Sequence, residues 1–234
     1  MLENVNLQQV KEKLYNRLKD SGWGDSLKSF VLSSDMDKIL TRLLEEARDN
    51  KRFVPQIKDV FKAFEVCPFD KTRVVIIGQD PYPYPDVPDG IAFSCSKKNK
   101  PEVSLQLIFE SIKETTIPGY QGDPDLTRWA NQGVLLLNSA LTTTVYKPGS
   151  HYLLWSPFMV AVLDALIWNR QDVIYVFLGK KAQEYSELVP SNTLKIMLNH
   201  PAHAAYQKEA WNCEDLWNKI NNHLVKLNQT PIEW

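Results

Sequence analysis

The chain has 234 residues, of which 44% are apolar, and its 27 basic and 28 acidic side chains give a formal net charge of −1. This neutral balance excludes a protein that coats nucleic acid by phosphate neutralisation alone. Three widely spaced cysteines argue against a disulfide framework and against a structural zinc site. The start lacks the pattern of a secretory signal and no apolar run approaches about 18 residues, so we expect a cytoplasmic protein without a membrane segment.

The N-terminal residues predict amphipathic helices. Leu14 and Leu18 share one helical face, and Ile39, Leu43 and Leu44 share another. No linker, repeat or low-complexity tract separates this region from the rest of the chain. We therefore predict a single domain over residues 1–234, in which residues 1–50 form a helical cover on the common core.

Four short apolar runs follow, and each has the length of a strand. They cover residues 74–77, 134–137, 173–178 and 194–198. The runs are continuous rather than alternating, which is typical of strands buried on both faces of a parallel sheet. Helical patterns fall between and after them, at residues 104–114, 157–168 and 211–227, the second with Ser156 as its cap. This alternation predicts an α/β fold with three layers, in which helices flank a four-stranded parallel sheet.

Polar residues follow the apolar runs. Asp80, Asn138, Lys180 and His200 each come shortly after one of them. Taken singly, each residue has an ordinary structural explanation, as a turn former, a cap or a surface lysine. In open α/β sheets, however, the ligand crevice lies beyond the carboxyl ends of the strands. The four side chains are therefore predicted to meet in one cleft.

The chemistry available in such a cleft is restricted. The sequence lacks the glycine-rich phosphate loops, the zinc-protease motif and the serine-hydrolase elbow. A carboxylate and an imidazole can stabilise a positive centre, orient a water and donate a hydrogen bond to a leaving group. The Asn138 amide matches the imide edge of a pyrimidine, and Tyr82 and Phe93 offer flat surfaces for a base.

Several motifs together resemble the family 1 uracil-DNA glycosylases. They are GQDPY at 78–82, GIAFS at 90–94, LLLNSALT at 135–142, the strand end at Gly179, and the late pair His200-Pro201. The similarity runs from about residue 52 to the end of the chain. It implies a monomeric, monofunctional enzyme of base excision repair that hydrolyses the bond between uracil and deoxyribose in DNA and leaves an abasic site. It implies no metal or cofactor, and a DNA-mimicking inhibitor protein as a further partner.

The resemblance also implies roles for individual residues. Asp80 would hold the attacking water and stabilise the cationic sugar. His200 would donate, as a neutral imidazole, to O2 of the departing uracil. Asn138 would pair with N3 and O4, Gln79 would contribute backbone contacts, and Phe93 would stack on the base.

Specificity and DNA binding are assigned in the same way. Tyr82 would close the pocket where thymine carries its methyl group. Ser104, Gly179 and Lys180 would contact phosphates, with a local basic cluster close by in sequence. The cluster, called here the lysine loop, consists of Lys97, Lys98 and Lys100.

The sequence departs from the family pattern in three places. Pro83 stands where a histidine is usual. The usual HPSPLS loop reads HPAHAA at 200–205, so that Ala204 replaces the leucine wedge, and His203 or Tyr206 would have to substitute for the lost contacts. Asp86 and Asp89 add negative charge before Phe93. We therefore expect the activity with single-stranded DNA to equal or exceed the activity with duplex DNA.

Two alternatives remain open on the sequence alone. The first is a glycosylase with shifted preference, for single-stranded DNA or for another damaged base. The second is a catalytically weak homologue that serves as a DNA-binding or protein-binding module. Retention of Asp80, Phe93, Asn138 and His200 together favours the enzyme, because a binding module needs neither the carboxylate nor the imidazole.

Overall fold

The computed structural model describes residues 5–49, 51–98 and 100–234. Residues 1–4 and 50, which belong to the predicted N-terminal cover, lie outside the described residues. The described part of this cover forms four helices, α1 Leu7–Lys19, α2 Trp23–Ser26, α3 Lys28–Val31 and α4 Ser34–Arg48. Side-chain caps fix the starts of the two longer ones, because Asn6 accepts from the amide of Gln9 and Ser33 from that of Asp35, both at 3.2 Å.

Strands and helices alternate along the rest of the chain. In order they are β1 Phe53–Val54, α5 Lys62–Val66, β2 Val74–Gly78, α6 Val103–Thr115, α7 Thr127–Ala130, β3 Val134–Asn138, β4 Thr143–Thr144, α8 Tyr152–Asn169, β5 Ile174–Leu178, α9 Lys180–Gln183, β6 Lys195–Leu198, α10 Pro201–Gln207 and α11 Leu216–Lys226.

The main sheet has four parallel strands in the order β3-β2-β5-β6. The connection from β2 to β3 runs one way across the sheet, and those from β3 to β5 and from β5 to β6 run the other way. Right-handed crossovers therefore place α6 on one face and α8 with α9 on the other. This confirms the predicted three-layer fold and explains why β2 and β5 are buried along their whole length.

Two aromatic clusters join the helices to each other. One, in which Phe61 contacts both Trp155 and Phe158 edge-on, connects α5 with α8. The other, in which Trp129 and Trp217 meet Trp234, connects α7 and α11 with the C-terminal residue. Edge-to-face contacts of this kind stabilise more than area burial alone.

Helix α8 begins five residues before the predicted start at Pro157. A tertiary contact fixes its first turn, because the indole of Trp155 donates to Oγ1 of Thr142 at 2.7 Å. Pro157 lies in the second turn and cannot donate to the carbonyl of Leu153, a residue that is exposed to solvent. This position at the surface makes the missing hydrogen bond tolerable.

Helix α11, in contrast, begins five residues after the predicted start at Trp211. Glu214 and Asp215 adopt positive φ angles of 48° and 61°, which are incompatible with a continuing right-handed helix. Trp211 instead donates from its indole to the carbonyl of Asn199 at 2.9 Å. The antiparallel ribbon of β1 and β4 was not predicted, because two-residue strands carry no recognisable pattern.

By length and composition α8 could cross a membrane, since it has 18 residues with a mean hydropathy of 1.3. Six of its side chains are nevertheless buried in the protein core, namely Trp155, Phe158, Met159, Val162, Leu163 and Leu166. We therefore interpret α8 as a core helix.

Candidate active site

A cleft of about 700 Å³ opens at the carboxyl edge of the sheet. Its floor lies where the neighbouring strands β2 and β5 send their outgoing connections in opposite directions, which is where open α/β sheets bind ligands. Seven of the residues singled out from the sequence line it, namely Gln79, Asp80, Tyr82, Phe93, Ser104, Asn138 and His200.

Two glycines allow the strand ends to approach each other. A Cβ at Gly78 would lie 2.7 Å from Oδ1 of Asn138 and 2.9 Å from the ring of Phe93. A Cβ at Gly179 would lie 2.5 Å from the amide nitrogen of Gln79 and 2.9 Å from Cβ of His200. Any larger residue would therefore push the polar side chains apart. Gly179 serves the cleft as a spacer and does not line it.

Asp80 is held by donors from the segment between β4 and α8. The amide of Gly149 donates to Oδ2 at 2.6 Å, and the hydroxyl of Tyr152 donates to Oδ1 at 3.0 Å. Burial raises the pKa of Asp80, while these two donors and the hydroxyl of Thr143 lower it. The carboxylate thus sits in a partly dry site, oriented through both of its oxygens.

His200 has a defined tautomer. Its Nδ1 accepts the amide hydrogen of Ala202 at 3.1 Å and so caps α10. Burial lowers the pKa of His200 to about 4, so the imidazole is neutral at neutral pH. Because Nδ1 is the acceptor, the single ring proton resides on Nε2. The ring of Phe93 lies 5.4 Å from the imidazole at an angle of 30°.

The loop that carries Phe93 is held in place from two sides. Phe93 adopts a positive φ of 66°, and its carbonyl accepts the hydroxyl of Tyr82 at 3.0 Å. Burial raises the pKa of Tyr82, which therefore remains a neutral donor. This arrangement fixes the ring of Phe93 beside Gly78, where Oδ1 of Asn138 also lies.

Asp89 does not add negative charge to the surface as the sequence suggested. It is 2% exposed, it lies 3.7 Å from the ammonium of Lys62, and it accepts hydrogen bonds within its own loop. The donors are the amides of Ile91 and Ser96 and the hydroxyl of Ser94. Asp89 is thus a structural anchor of the loop, and only Asp86 remains exposed there.

Asn138 ends β3 opposite Gly78 and faces the cleft half-buried. The two residues after it tie the strand ends together. The amide of Ser139 donates to the carbonyl of Gly78 at 3.1 Å, and that of Ala140 donates to Gln79 at 3.2 Å. The amide side chain of Asn138 is therefore presented from a rigid strand end.

The residues predicted to bind DNA are placed differently from one another. Ser104 is buried in the cleft wall, whereas Lys180 and His203 are exposed outside it. Ala204 is 8% exposed and packs in the protein core, so its methyl group does not project from the surface. Its place on the inner side of α10 leaves Tyr206, at 87% exposure, as the projecting side chain of this helix.

The lysine loop is only partly available for phosphates. Lys97 forms an ion pair with Asp59 at 3.1 Å. Lys98 and Lys100 are exposed.

In the described ranges, no three His, Cys, Asp or Glu side chains are grouped so that they could hold a metal ion.

Sequence reasoning missed the segment that positions Asp80. Gly149 and Tyr152 hold the carboxylate, and Tyr146 and Pro148 line the cleft beside them. A signal was present, because this segment directly follows the LLLNSALT motif and contains a Pro-Gly turn between two tyrosines. Tyr84, in the proline-rich loop, also lines the cleft.

Comparison with protein families gives a match to the uracil DNA glycosylase superfamily over residues 64–225. The chain is 33% identical over 229 residues to a uracil-DNA glycosylase of Acinetobacter baylyi, and the match covers 97% of both chains. It is 35% identical over 198 residues to that of Phocaeicola vulgatus, with 83% of this chain and 89% of the other covered. The match to the Acinetobacter baylyi enzyme includes much of the N-terminal region that the motifs left out.

Solved structures agree with the sequence matches. The mimivirus uracil-DNA glycosylase superposes with a TM-score of 0.85 at 27% identity, covering 98% of this chain and 89% of that one. A substituted form of the mimivirus protein, solved in complex with UGI, gives 0.83 at 28% identity with 91% and 87% covered.

Proposed function

The chain belongs to the uracil-DNA glycosylase superfamily and is a base excision repair enzyme that removes uracil from DNA. We propose that it is a family 1 member in which Asp80, Asn138 and His200 carry out the reaction. The observation that carries this assignment is their convergence. Three strand ends deliver a half-buried carboxylate, a primary amide and a neutral imidazole to one cleft.

Asp80 acts on the sugar. As the N-glycosidic bond breaks, positive charge develops at the deoxyribose, and a carboxylate in a partly dry site stabilises that charge strongly. The donors Gly149 and Tyr152 orient the carboxylate, and each of its oxygens retains capacity to accept from a water. That water attacks the sugar, gives its proton to Asp80 and leaves an abasic site.

His200 and Asn138 act on the base. The Nε2 hydrogen of His200 is directed to O2 of the leaving uracil, where negative charge develops, so the bond strengthens as the reaction proceeds. Asn138 donates to O4 and accepts from N3, while Phe93 stacks on the ring. Tyr82, fixed by its hydrogen bond to Phe93, excludes the thymine methyl group.

The reaction ends at the abasic site. A lyase step on the sugar needs an amine to form a Schiff base. Among the described residues that line the cleft there is no lysine. We therefore propose a monofunctional enzyme.

Flipping uracil out of a duplex costs a few kcal/mol, which contacts with the DNA must offset. Ala202 lacks the hydroxyl of the family pattern, and Ala204 is buried. Tyr206 is the projecting side chain that can occupy the vacated stack. Ser104 in the cleft wall and Lys180 outside it contact phosphates. A wedge is needed only to fill the gap that a flipped base leaves in a duplex. Uracil in single-stranded DNA is therefore removed at least as well as uracil in duplex DNA.

The partners follow from the same cleft. A DNA-mimicking inhibitor protein would cover it, as UGI is found in complex with a mimivirus homologue. One copy supplies every group of the proposed reaction, so we propose that the chain acts as a monomer, and we place it in the cytoplasm as expected from its sequence.

Uracil release from synthetic oligonucleotides tests the proposal. Matched single-stranded and duplex substrates with one uracil are incubated with the purified protein and then cleaved by alkali at abasic sites. We expect cleavage of both, with single strands at least as fast, and no cleavage where thymine replaces uracil. Absence of abasic sites from both substrates would show that the assigned residues do not catalyse this reaction.

A further inference from the structure

Two exposed tyrosines stand at the mouth of the cleft, outside the groups assigned to the reaction. Tyr84 is 49% exposed and Tyr146 is 69% exposed, and both line the cleft. Their ring centroids are 6.0 Å apart at 64°, in an edge-to-face arrangement. We call them the tyrosine pair. Large aromatic side chains this exposed contribute little to the core, so the pair invites a functional explanation.

The backbone presents the pair rigidly. The amide of Tyr146 donates to the carbonyl of Pro83 at 2.8 Å, which joins the two loops that carry the rings. Pro83 and Pro85 flank Tyr84 and restrict its loop. Tyr146 adopts a positive φ of 61°, a conformation that a bulky residue rarely adopts. Such strain at an exposed position is found where a side chain serves a ligand.

The position of the pair identifies what it meets. Pro83 follows Asp80 by three residues, and Tyr146 precedes Gly149, the donor to Asp80, by three. The pair thus borders the place assigned to the sugar of the reacting nucleotide. A strand that delivers its uracil into the cleft must continue past this border. Lys147, exposed beside Tyr146, adds positive charge there for a phosphate.

We propose that Tyr84 and Tyr146 form a stacking subsite for the nucleobase next to the uracil in single-stranded DNA. Every base has a flat face that an aromatic ring can cover, and tyrosine rings supply this contact without sequence preference. The subsite rests on the proposed function, because the uracil must occupy the cleft to bring its neighbour to the pair. With this subsite the enzyme recognises the uracil and also one of its two neighbouring bases, on one side only.

Short single-stranded oligonucleotides test the subsite. One carries bases on both sides of the uracil, and two others carry a tetrahydrofuran spacer in place of the 5′ or the 3′ neighbour. We expect kcat/KM of the native enzyme to fall about tenfold for one spacer and little for the other, as loss of one base–aromatic stack implies. Y84A and Y146A should show the same loss with the full oligonucleotide and no further loss with that spacer.

Three controls separate stacking from damage. Y84F and Y146F retain the rings and should behave as the native enzyme does. W168A removes an aromatic residue that is 84% exposed at the far end of α8 and should have no effect. Inhibition by free uracil should be equal in all variants, because the base pocket is left intact.

Each contrary result overturns the subsite. Equal rates with all three oligonucleotides would show that no neighbour is recognised. A loss in Y84A or Y146A that persists with both spacers would place these residues in the reaction itself. Weakened binding of an inhibitor protein with unchanged oligonucleotide kinetics would make the pair a protein contact. Anisotropy with the same oligonucleotides detects the one-sided preference by binding alone, so the failure of uracil release is distinguished from failure of the subsite.

Discussion

The hydroxyl of Tyr152 donates a hydrogen bond of 3.0 Å to Oδ1 of Asp80. It connects the first turn of α8 to the loop after β2, two elements 72 residues apart in sequence. The pKa of Tyr152 is raised, by burial above all and then by the charge of Asp80, so the hydroxyl remains protonated and donates. Asp80 therefore depends on a residue outside the motif that contains it.

Tyr152→Phe removes one of the donors that lower the pKa of Asp80. The carboxyl pKa should rise, and a carboxylate that must be ionised for turnover then protonates at a higher pH. We expect the acid limb of kcat to move to higher pH, measured as uracil release between pH 4 and 8.

Tyr175→Phe, on β5, is the matched control, because the buried hydroxyl of Tyr175 has no hydrogen-bond partner among the described residues. Its pH profile should superpose on that of the native enzyme. An unchanged acid limb in Tyr152→Phe would show that another group sets it.

Asn138→Asp replaces a side chain that both donates and accepts by one that, when ionised, only accepts. A carboxylate cannot donate to O4 of uracil and leaves that oxygen unpaired. We expect affinity for free uracil, measured as competitive inhibition, to fall about tenfold or more. Asn131→Asp, at an exposed position before the amino end of β3, is the control and should bind uracil normally. Equal inhibition of both variants would remove Asn138 from the base pocket.

His200 makes stability depend on pH. Its folded pKa of about 4 lies below the usual value of 6.5, so the unfolded chain binds more protons between these two values. The contribution of neutral His200 to the free energy of unfolding is complete above about pH 6.5 and is lost as the pH falls towards 4. We expect His200→Gln to show a shallower decline in the free energy of unfolding from pH 7 to pH 5, measured with urea. His203→Gln, an exposed imidazole on the same helix, is the control. If the free energy of unfolding of His200→Gln declined as steeply with pH as that of the native protein, burial would not be what holds His200 neutral.

Glu46 ties the N-terminal helices to the active-site segment. It is 3% exposed on α4, and its carboxylate meets Nε2 of His151 at 3.1 Å and the hydroxyl of Thr144 at 3.2 Å. Glu46→Ala removes the buried carboxylate from both groups, which keep their 3.2 Å contact with each other, and it also breaks the ion pair between Glu46 and Arg42. We expect a loss of about 3 kcal/mol in the free energy of unfolding. Glu45→Ala, exposed on the same helix, should cost less than about 0.5 kcal/mol. Equal losses in the two variants would show that the buried contact is not stabilising.

The sheet was predictable because its strands are continuous apolar runs, and the cleft because polar residues follow them. The runs at Val74 and Val134 alone fixed where Asp80 and Asn138 would meet. The partners of Asp80 were not predictable in the same way, since Gly149 lies in a turn and Tyr152 at the start of α8, and both contacts with Asp80 are tertiary. The burial of Ala204 was not predictable for a related reason. Only the packing of α10 against the core decides which of its side chains face outward.

The most direct test of the assigned mechanism is a comparison of turnover and binding in Asp80→Asn. The amide keeps the shape of the carboxylate but neither carries its charge nor accepts a proton from water. We expect kcat for uracil release to fall by at least about 100-fold, the size typical of lost electrostatic stabilisation, while the Kd for uracil-containing single strands changes little. Asp86→Asn, in the same loop but exposed, should be fully active. Equal losses of kcat and affinity in Asp80→Asn would show that Asp80 is a structural residue of the cleft and does not stabilise the positive charge on the sugar.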